Sequence, residues 1–353
     1  MTNSKSGFLP IFRNLIPAVI ITAGFFSCNT SSSTASDVIS FEAMNTFMSI
    51  KSFGKNAQTA NKAAKKKILE TEKLISVTDS ESQVYKINNS CDSEIILSEE
   101  LNSLLSQSLD AASKTNGAFN PFLYPITKEW GFTTKNYHVP GDARIKELLT
   151  LTDYKKANKK GNVLFRAPGM QLDFGGIGKG YAGDLAIKTL KENGVSSAVL
   201  DLGGNIQLLG SKPDGSDWNI GLRNPWKADE GPVFALKLSD CAVITSGGYE
   251  RFFTGDDGKE YIHIFDSSTG RPVDNELVSV TIITKDGITG DLLSTALFAM
   301  GKEKAIEFWK SSSYYDFEII LLCKDMSAVI SEGIEKSCTK LADFRKIEVC
   351  KKQ

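Results

Sequence analysis

The chain has 353 residues, with 41 basic and 42 acidic side chains and a formal net charge of −1. That balance excludes a protein that grips nucleic acid through a basic surface. Two histidines and six cysteines, with no Cys-x-x-Cys spacing, argue against a zinc or iron–sulfur centre, and the length suits one large domain or two intertwined ones.

Lys5 and Arg13 precede an apolar run from Leu15 to Phe26. This run has the length of a signal-peptide core and is too short to span a bilayer comfortably. Ser27 directly before Cys28 resembles the bacterial lipobox, with Phe25 and Phe26 before it. The expectation is a lipoprotein signal peptide over residues 1–27 and a lipidated Cys28, whose acyl chains would anchor the protein to a bacterial membrane. The protein would then face the periplasm or another extracytoplasmic space. Residues 28–37 are Ser/Thr-rich and read as a flexible tether, which leaves 38–353 for the folded domain. Five cysteines remain after Cys28. They cannot all pair, although an oxidising compartment permits one disulfide.

Along the folded part, helical spacing covers 56–74 and 97–113, with a shorter helix over 142–151. Residues 163–172 look extended. A helix over 180–193 ends at Gly194, and strands over 197–202 and 206–210 flank Gly203-Gly204. Further strands are expected over 233–238, 241–245, 260–265 and 277–283. A helix follows over 289–300, capped by Thr289 and closed by Gly301. A helical turn over 305–309 and a strand over 317–323 complete the pattern. Early helices and later mixed strands indicate an α+β fold rather than a βαβ repeat. The basic run Lys62 to Lys67 reads as a solvated helix face.

Four segments carry chemistry. Asp173-Phe-Gly-Gly-Ile-Gly-Lys-Gly-Tyr-Ala-Gly-Asp184 lies between a strand and a helix. Its glycines allow backbone N–H groups to approach phosphate, and Lys179 adds positive charge. Neither a Walker A loop nor a Rossmann fingerprint fits its spacing. In Thr289-Gly-Asp-Leu-Leu-Ser-Thr295, Asp291 and Thr295 are four apart and share a helix face. That pair suits a hard cation, which takes oxygen ligands; a plain helix-dipole role for Asp291 is the alternative. His263 alternates with Ile262 and Ile264 on a strand and is a candidate general base. Gly117-Ala-Phe-Asn-Pro121 and the later Trp130-Gly-Phe132 place aromatics near turns, where they stack on a ring or fill the core.

In this order, the segments resemble the ApbE family of FAD:protein FMN transferases. The resemblance runs from Met44-Asn-Thr46 through GAFNP at 117–121, DFGGIGKGYAGD at 173–184, DLGGN at 201–205, TSGGYERFF at 245–253 and HIFDSSTGRPV at 263–273, to TGDLLSTALFAMG at 289–301. It implies two intertwined subdomains around a central cleft for FAD and Mg²⁺. By that resemblance Gly176, Asp291 and Thr295 hold Mg²⁺. FAD contacts Met44, Ala118, Phe119, Asn120, Asp173, Lys179, Phe265 and Ser294. His263 and Asp291 are the catalytic pair.

The implied reaction moves FMN from FAD to a Thr or Ser hydroxyl of an acceptor protein, with release of AMP. The implied acceptor is a membrane redox-complex subunit. FAD hydrolysis to FMN and AMP is the alternative at the same site, and a non-catalytic FAD-binding lipoprotein is a second alternative. An NAD-type dehydrogenase is disfavoured, because the chain lacks an early strand–Gly-loop–helix unit. Three departures stand out: Asn45 replaces a customary Gly, Met48 stands where an aromatic next to the flavin is frequent, and Ser267 replaces a Pro.

Overall fold

A computed structural model describes residues 35–227 and 229–352. The signal segment, Cys28 and most of the tether lie outside the described residues. The chain builds one nine-stranded sheet whose spatial order follows the sequence. Its strands are β1 (Ser36–Ala43), β2 (Thr46–Phe53), β3 (Ser197–Asp201), β4 (Asn205–Leu209), β5 (Ala242–Gly247), β6 (Leu277–Thr284), β7 (Phe317–Cys323), β8 (Ser327–Ser331) and β9 (Lys346–Cys350). Neighbours are antiparallel until the last pair, β8 and β9, which is parallel.

Side chains alternate between the two faces, as a pleated strand requires. Ile282, Ile319 and Leu321 face one core, whereas Ile283, Ile320 and Leu322 face another. Three helices cover the first face: α1 (Ala57–Ile75), α2 (Gly178–Glu192) and α3 (Gly287–Met300). α1 lays Ala60, Ala64 and Ile68 against Ala182, Ala186 and Leu190 of α2 and against Met48 and Ile50 of β2. α3 is buried on nearly every side, so its sequence is apolar all round apart from the residues that act in the site. A small sheet of Trp218–Leu222, Phe234–Leu238 and Cys338–Lys340 covers the second face.

Between β2 and β3 the chain leaves the sheet. It forms helices at Gln83–Asn88, Glu99–Lys114, Tyr124–Glu129 and Asp142–Leu149 and a three-stranded ribbon. This excursion returns as the Gly-rich turn and α2. The architecture is α+β, as the sequence indicates.

Several expectations need adjusting. Folded chain starts at Ser36 in β1, two residues inside the expected tether. The β1–β2 hairpin opens the sheet, so strands precede the helices. Of the extended stretch 163–172, only Val163–Phe165 is strand. α3 starts at Gly287 and its cap is Asp286, whose side chain accepts the Thr289 N–H; Asp286 stands one turn earlier and leaves Thr289 inside the helix. Gly301 does close it, at φ +80. The five cysteines among the described residues are free thiols.

Candidate active site

The Gly-rich turn owes most of its glycines to packing. A Cβ on Gly180 would lie 2.1 Å from the Gly287 carbonyl oxygen, and one on Gly178 would lie 2.4 Å from Ile75 Cδ1. A Cβ on Gly183 would run into the Gln207 amide. Gly180 thus lets α2 cross α3 nearly backbone to backbone, while Gly178 fits against α1 and Gly183 leaves a slot for a side chain of β4. Gly175 and Gly176 remain for the open part of the turn, where Asp173 accepts the Gly175 N–H at 2.8 Å. Asp184, at the end of the motif, accepts the Gly287 and Ile288 N–H groups at 2.6 and 3.0 Å. It thereby satisfies the start of α3, whose first N–H groups have no helical partner.

That crossing carries Asp291 into the seam between the helices and the sheet. The carboxylate is 6% exposed. Its Oδ2 accepts the Gly180 N–H at 2.6 Å and its Oδ1 accepts Asn205 Nδ2 at 3.0 Å. Burial pushes its pKa up, opposed by the charge of Lys179 and by these hydrogen bonds. One turn along α3, Thr295 Oγ1 lies 3.6 Å from where a Cβ on Gly176 would stand, and the Phe119 ring lies 3.4 Å from the same point. Gly176 and Thr295 therefore lie side by side, and Asp291 stands one turn of α3 before Thr295. An ionised carboxylate offers about four lone-pair sites, and two are in use. The donors are all oxygen, which fits a hard cation with one carboxylate ligand. Among the described residues no three His, Cys, Asp or Glu side chains are grouped so as to hold a metal ion, so Asp291 would be the one carboxylate of such a site.

Lys179, on the first turn of α2, donates to the Gly203 carbonyl at 3.0 Å. Gly203 has φ +72 and leaves no room for a Cβ beside Thr46. The tip of the β1–β2 hairpin thus meets the Gly203-Gly204 turn beside Lys179. Met44 and Asn45 form that tip, at φ 48 and 57, the left-handed pair of a two-residue type I′ turn. Asparagine tolerates this region, which accounts for Asn45 in place of Gly. The Met44 N–H is held by Glu72 of α1 at 2.6 Å. Met48 does not reach the surface. It is fully buried in the core between β2, α1 and α2, so the expectation that it bears on the flavin position is corrected.

His263 comes just after the strand Glu260–Ile262. Its backbone N–H and its Nδ1 both meet the Arg251 carbonyl at 3.1 Å. A carbonyl only accepts, so Nδ1 carries the proton and Nε2 is left as a free base. Part of the ring reaches solvent, yet the protein around it is dense. That desolvation, with the charges of Arg251 and Lys179, pushes its pKa down to about 4. The imidazole is therefore neutral at pH 7. Phe132 lies 6.5 Å from it between ring centres. Phe132, Trp130, Tyr137, Phe253, Tyr261 and Phe265 form a continuous aromatic cluster behind it.

A sequence model described as the ApbE family matches residues 44–320. The chain belongs to the ApbE family. An FAD:protein FMN transferase of Treponema pallidum is 35% identical over 66% of this chain and 69% of its own length. One of Klebsiella pneumoniae is 34% identical over 74% and 81%. The crystal structure of the ApbE protein of Thermotoga maritima superposes with a TM-score of 0.80 at 30% identity, covering 86% of this chain and 99% of that one. The apo flavinyl transferase ApbE of Pseudomonas stutzeri gives 0.72 at 26% identity, over 82% and 92%.

The remaining residues expected at an ApbE site divide into two groups. Ser294 is buried next to Asp291; its hydroxyl donates to the Asp291 carbonyl at 3.0 Å and meets Ser246 Oγ at 2.8 Å. Ala118 and Phe119 lie on the turn that packs against Gly176. Asn120 has its amide committed to the chain, accepting from Phe122 N at 2.9 Å and donating to the Thr152 carbonyl at 2.8 Å. Phe265 is 4% exposed and packs against Trp130 and Phe132, so it shapes the corner from below.

Four residues of the site were not singled out from sequence. Asn205 and Gln207 brace Asp291 from β4. Arg251 fixes His263 through its carbonyl. Glu250 reaches solvent beside Gly204 but is ringed by protein, which pushes its carboxyl up against the pull of Lys179, Arg251 and Arg223. Asn205 and Glu250 sit inside the quoted DLGGN and TSGGYERFF motifs. Gln207 has no local signal beyond being polar on a buried strand.

Proposed function

We propose that this chain is an Mg²⁺-dependent FAD:protein FMN transferase. The observation that carries this reading is the placement of Thr295 beside Gly176 of the Gly-rich turn, with Asp291 one turn earlier on the same helix and held by the Gly180 N–H; His263 is neutral at pH 7. The Gly176 carbonyl, the Asp291 carboxylate and the Thr295 hydroxyl would hold the cation against the FAD diphosphate. When bound, Mg²⁺ supplies positive charge that neutralises the phosphoryl oxygens during displacement.

The chain's own groups do the rest. Lys179 adds a fixed charge beside the phosphates, and the hairpin tip at Met44 with the turn at Ala118 and Phe119 borders the flavin half. His263 Nε2 takes the proton of an acceptor Thr or Ser hydroxyl as its oxygen attacks the FMN phosphorus. A new P–O bond forms, the P–O bond to AMP breaks, and AMP carries away the bonding pair. The proton on His263 is then free to pass to solvent. Water in place of the acceptor hydroxyl would give FMN and AMP.

The N-terminal pattern supports an exported, lipid-anchored enzyme, with an acceptor such as a membrane redox-complex subunit facing the same space. The test is direct. Incubate the soluble domain with FAD and Mg²⁺, with and without a Thr-containing acceptor, and measure AMP, free FMN and protein-bound flavin. Equal AMP and bound flavin are expected with the acceptor and Mg²⁺ present. AMP with free FMN alone would replace transfer by hydrolysis, and no AMP under any condition would leave only a flavin-binding protein.

A further inference from the structure

Asn205 and Gln207 are two buried amides, at 0% and 3% exposure, on alternate positions of β4. Both therefore face the helices. Asn205 Nδ2 donates to Asp291 Oδ1 at 3.0 Å. That contact fixes the amide orientation, because an ionised carboxylate only accepts. Asn205 Oδ1 is then free to accept Gln207 Nε2, at 3.3 Å. Gln207 Nε2 also donates to the Gly180 carbonyl at 3.2 Å, and the Gly180 N–H returns to Asp291 Oδ2 at 2.6 Å. The four contacts close a ring that passes through both carboxylate oxygens.

The chain reserves space for this ring. A Cβ on Gly183 would come within 2.1 Å of Gln207 Nε2, and one on Gly287 within 1.8 Å. Glycine in both helices opens the slot in which the Gln207 amide lies. An apolar side chain of similar size would fill that slot without any need for polar partners. Packing alone thus gives no reason for two amides in so dry a place.

We propose that Asn205 and Gln207 are positioning residues that fix the plane of the Asp291 carboxylate, and that they set both the affinity for Mg²⁺ and the discrimination against Ca²⁺. The proposal rests on the Mg²⁺ reading above. Mg²⁺ demands near-ideal octahedral geometry at short distances, whereas Ca²⁺ accepts more ligands at longer ones. A carboxylate locked through both oxygens cannot swing to chelate a larger ion. A freed one can, and partners behind a metal ligand typically change affinity about 10–100-fold.

The experiment uses Mn²⁺ as a paramagnetic stand-in, bound to the soluble domain with ADP as the diphosphate and followed by electron paramagnetic resonance. Mg²⁺ and Ca²⁺ serve as competitors. Gln207→Met keeps the slot filled and removes the hydrogen bonds; Asn205→Ala opens the ring at its other side. In each variant that melts as a folded protein, Mn²⁺ affinity is expected to fall about tenfold, and Ca²⁺ to compete nearly as well as Mg²⁺. Wild-type affinity and selectivity in Gln207→Met, with loss only in Gln207→Ala, would reduce the residue to a space filler and overturn the proposal. So would midpoints within twofold of wild type in Asn205→Ala. A wild-type protein that binds no Mn²⁺ would instead refute the metal reading, which is a distinguishable result.

Discussion

Asp291 and His263, the two ends of the proposed site, are built in opposite ways. Asp291 sits on a helix buried nearly all round, and its oxygens are held by residues 111 and 86 positions away in sequence. His263 follows a three-residue strand and is fixed by a carbonyl only 12 positions away. The aromatic cluster behind it opens to solvent, with Phe252 nearby 46% exposed and Tyr137 42% exposed. One end depends on the whole sheet and is dry, where charge interactions are strong. The other is local and open. Such a division suits a reaction with one small charged substrate and one acceptor as large as a protein.

The sharpest way to break this comparison is Asp291→Ala. If the dry end holds the cation, the variant loses its only carboxylate ligand and with it several kcal/mol of transition-state charge stabilisation. AMP release from FAD with Mg²⁺ is expected to drop on the order of a thousandfold. Near-normal Mg²⁺-dependent release would move the cation elsewhere and leave Asp291 as a buried brace between α2 and α3.

His263→Ala probes the open end, and its effect should fall on transfer rather than on FAD binding. Loss of a general base typically lowers rate about 10²–10⁴-fold, here in FMN transfer, while FAD binding measured by fluorescence stays close to wild type. The pH profile sharpens the point. With its pKa pushed down to about 4 from 6.5, the imidazole is a working base above about 4. The acid limb of transfer should therefore fall near pH 4, and a limb near 6.5 would show that the ring is ordinarily solvated. Stability follows the same sign. Between those two values the unfolded chain binds the proton and the folded one does not, so this group's contribution is lost as pH drops from 6.5 to 4.

The two ends also differed in how well the sequence disclosed them. Asp291 and Thr295 were visible because a four-residue spacing on an apolar helix leaves few polar positions facing inward. His263 was picked out from an alternation read as one strand over 260–265, although that strand ends at Ile262 and His263 lies in the bend that follows. What escaped is non-local. Nothing near Gln207 says that its amide reaches a helix 27 residues earlier, and Asp184 looks like part of a phosphate loop although it caps the start of α3 from 103 residues away. The β1–β2 hairpin was missed because its tip carries Met44-Asn45 rather than a glycine pair. Met48 was misplaced for a different reason: the motif puts it two residues after Thr46, but the period of two in β2 turns its side chain into the core.

Asn45→Gly tests the smallest effect, at the hairpin tip beside the Gly203 turn that Lys179 reaches. Asn45 is exposed and sits at φ 57. Glycine enters that region without steric cost but loses more chain entropy on folding, so the melting temperature should move by the equivalent of less than about 1 kcal/mol. The ratio of protein-bound flavin to free FMN should not move at all, because the change removes only a solvated side chain and leaves the hairpin backbone and the Glu72 contact to Met44 in place. Asn45→Val is the control, since a β-branched residue in the left-handed region costs at least about 1–2 kcal/mol and should disturb the tip. A shift of the ratio in Asn45→Gly without loss of stability would mean that this side chain itself faces the acceptor. The open end would then extend across the cleft to the hairpin, and the clean separation from the Asp291 centre would no longer hold.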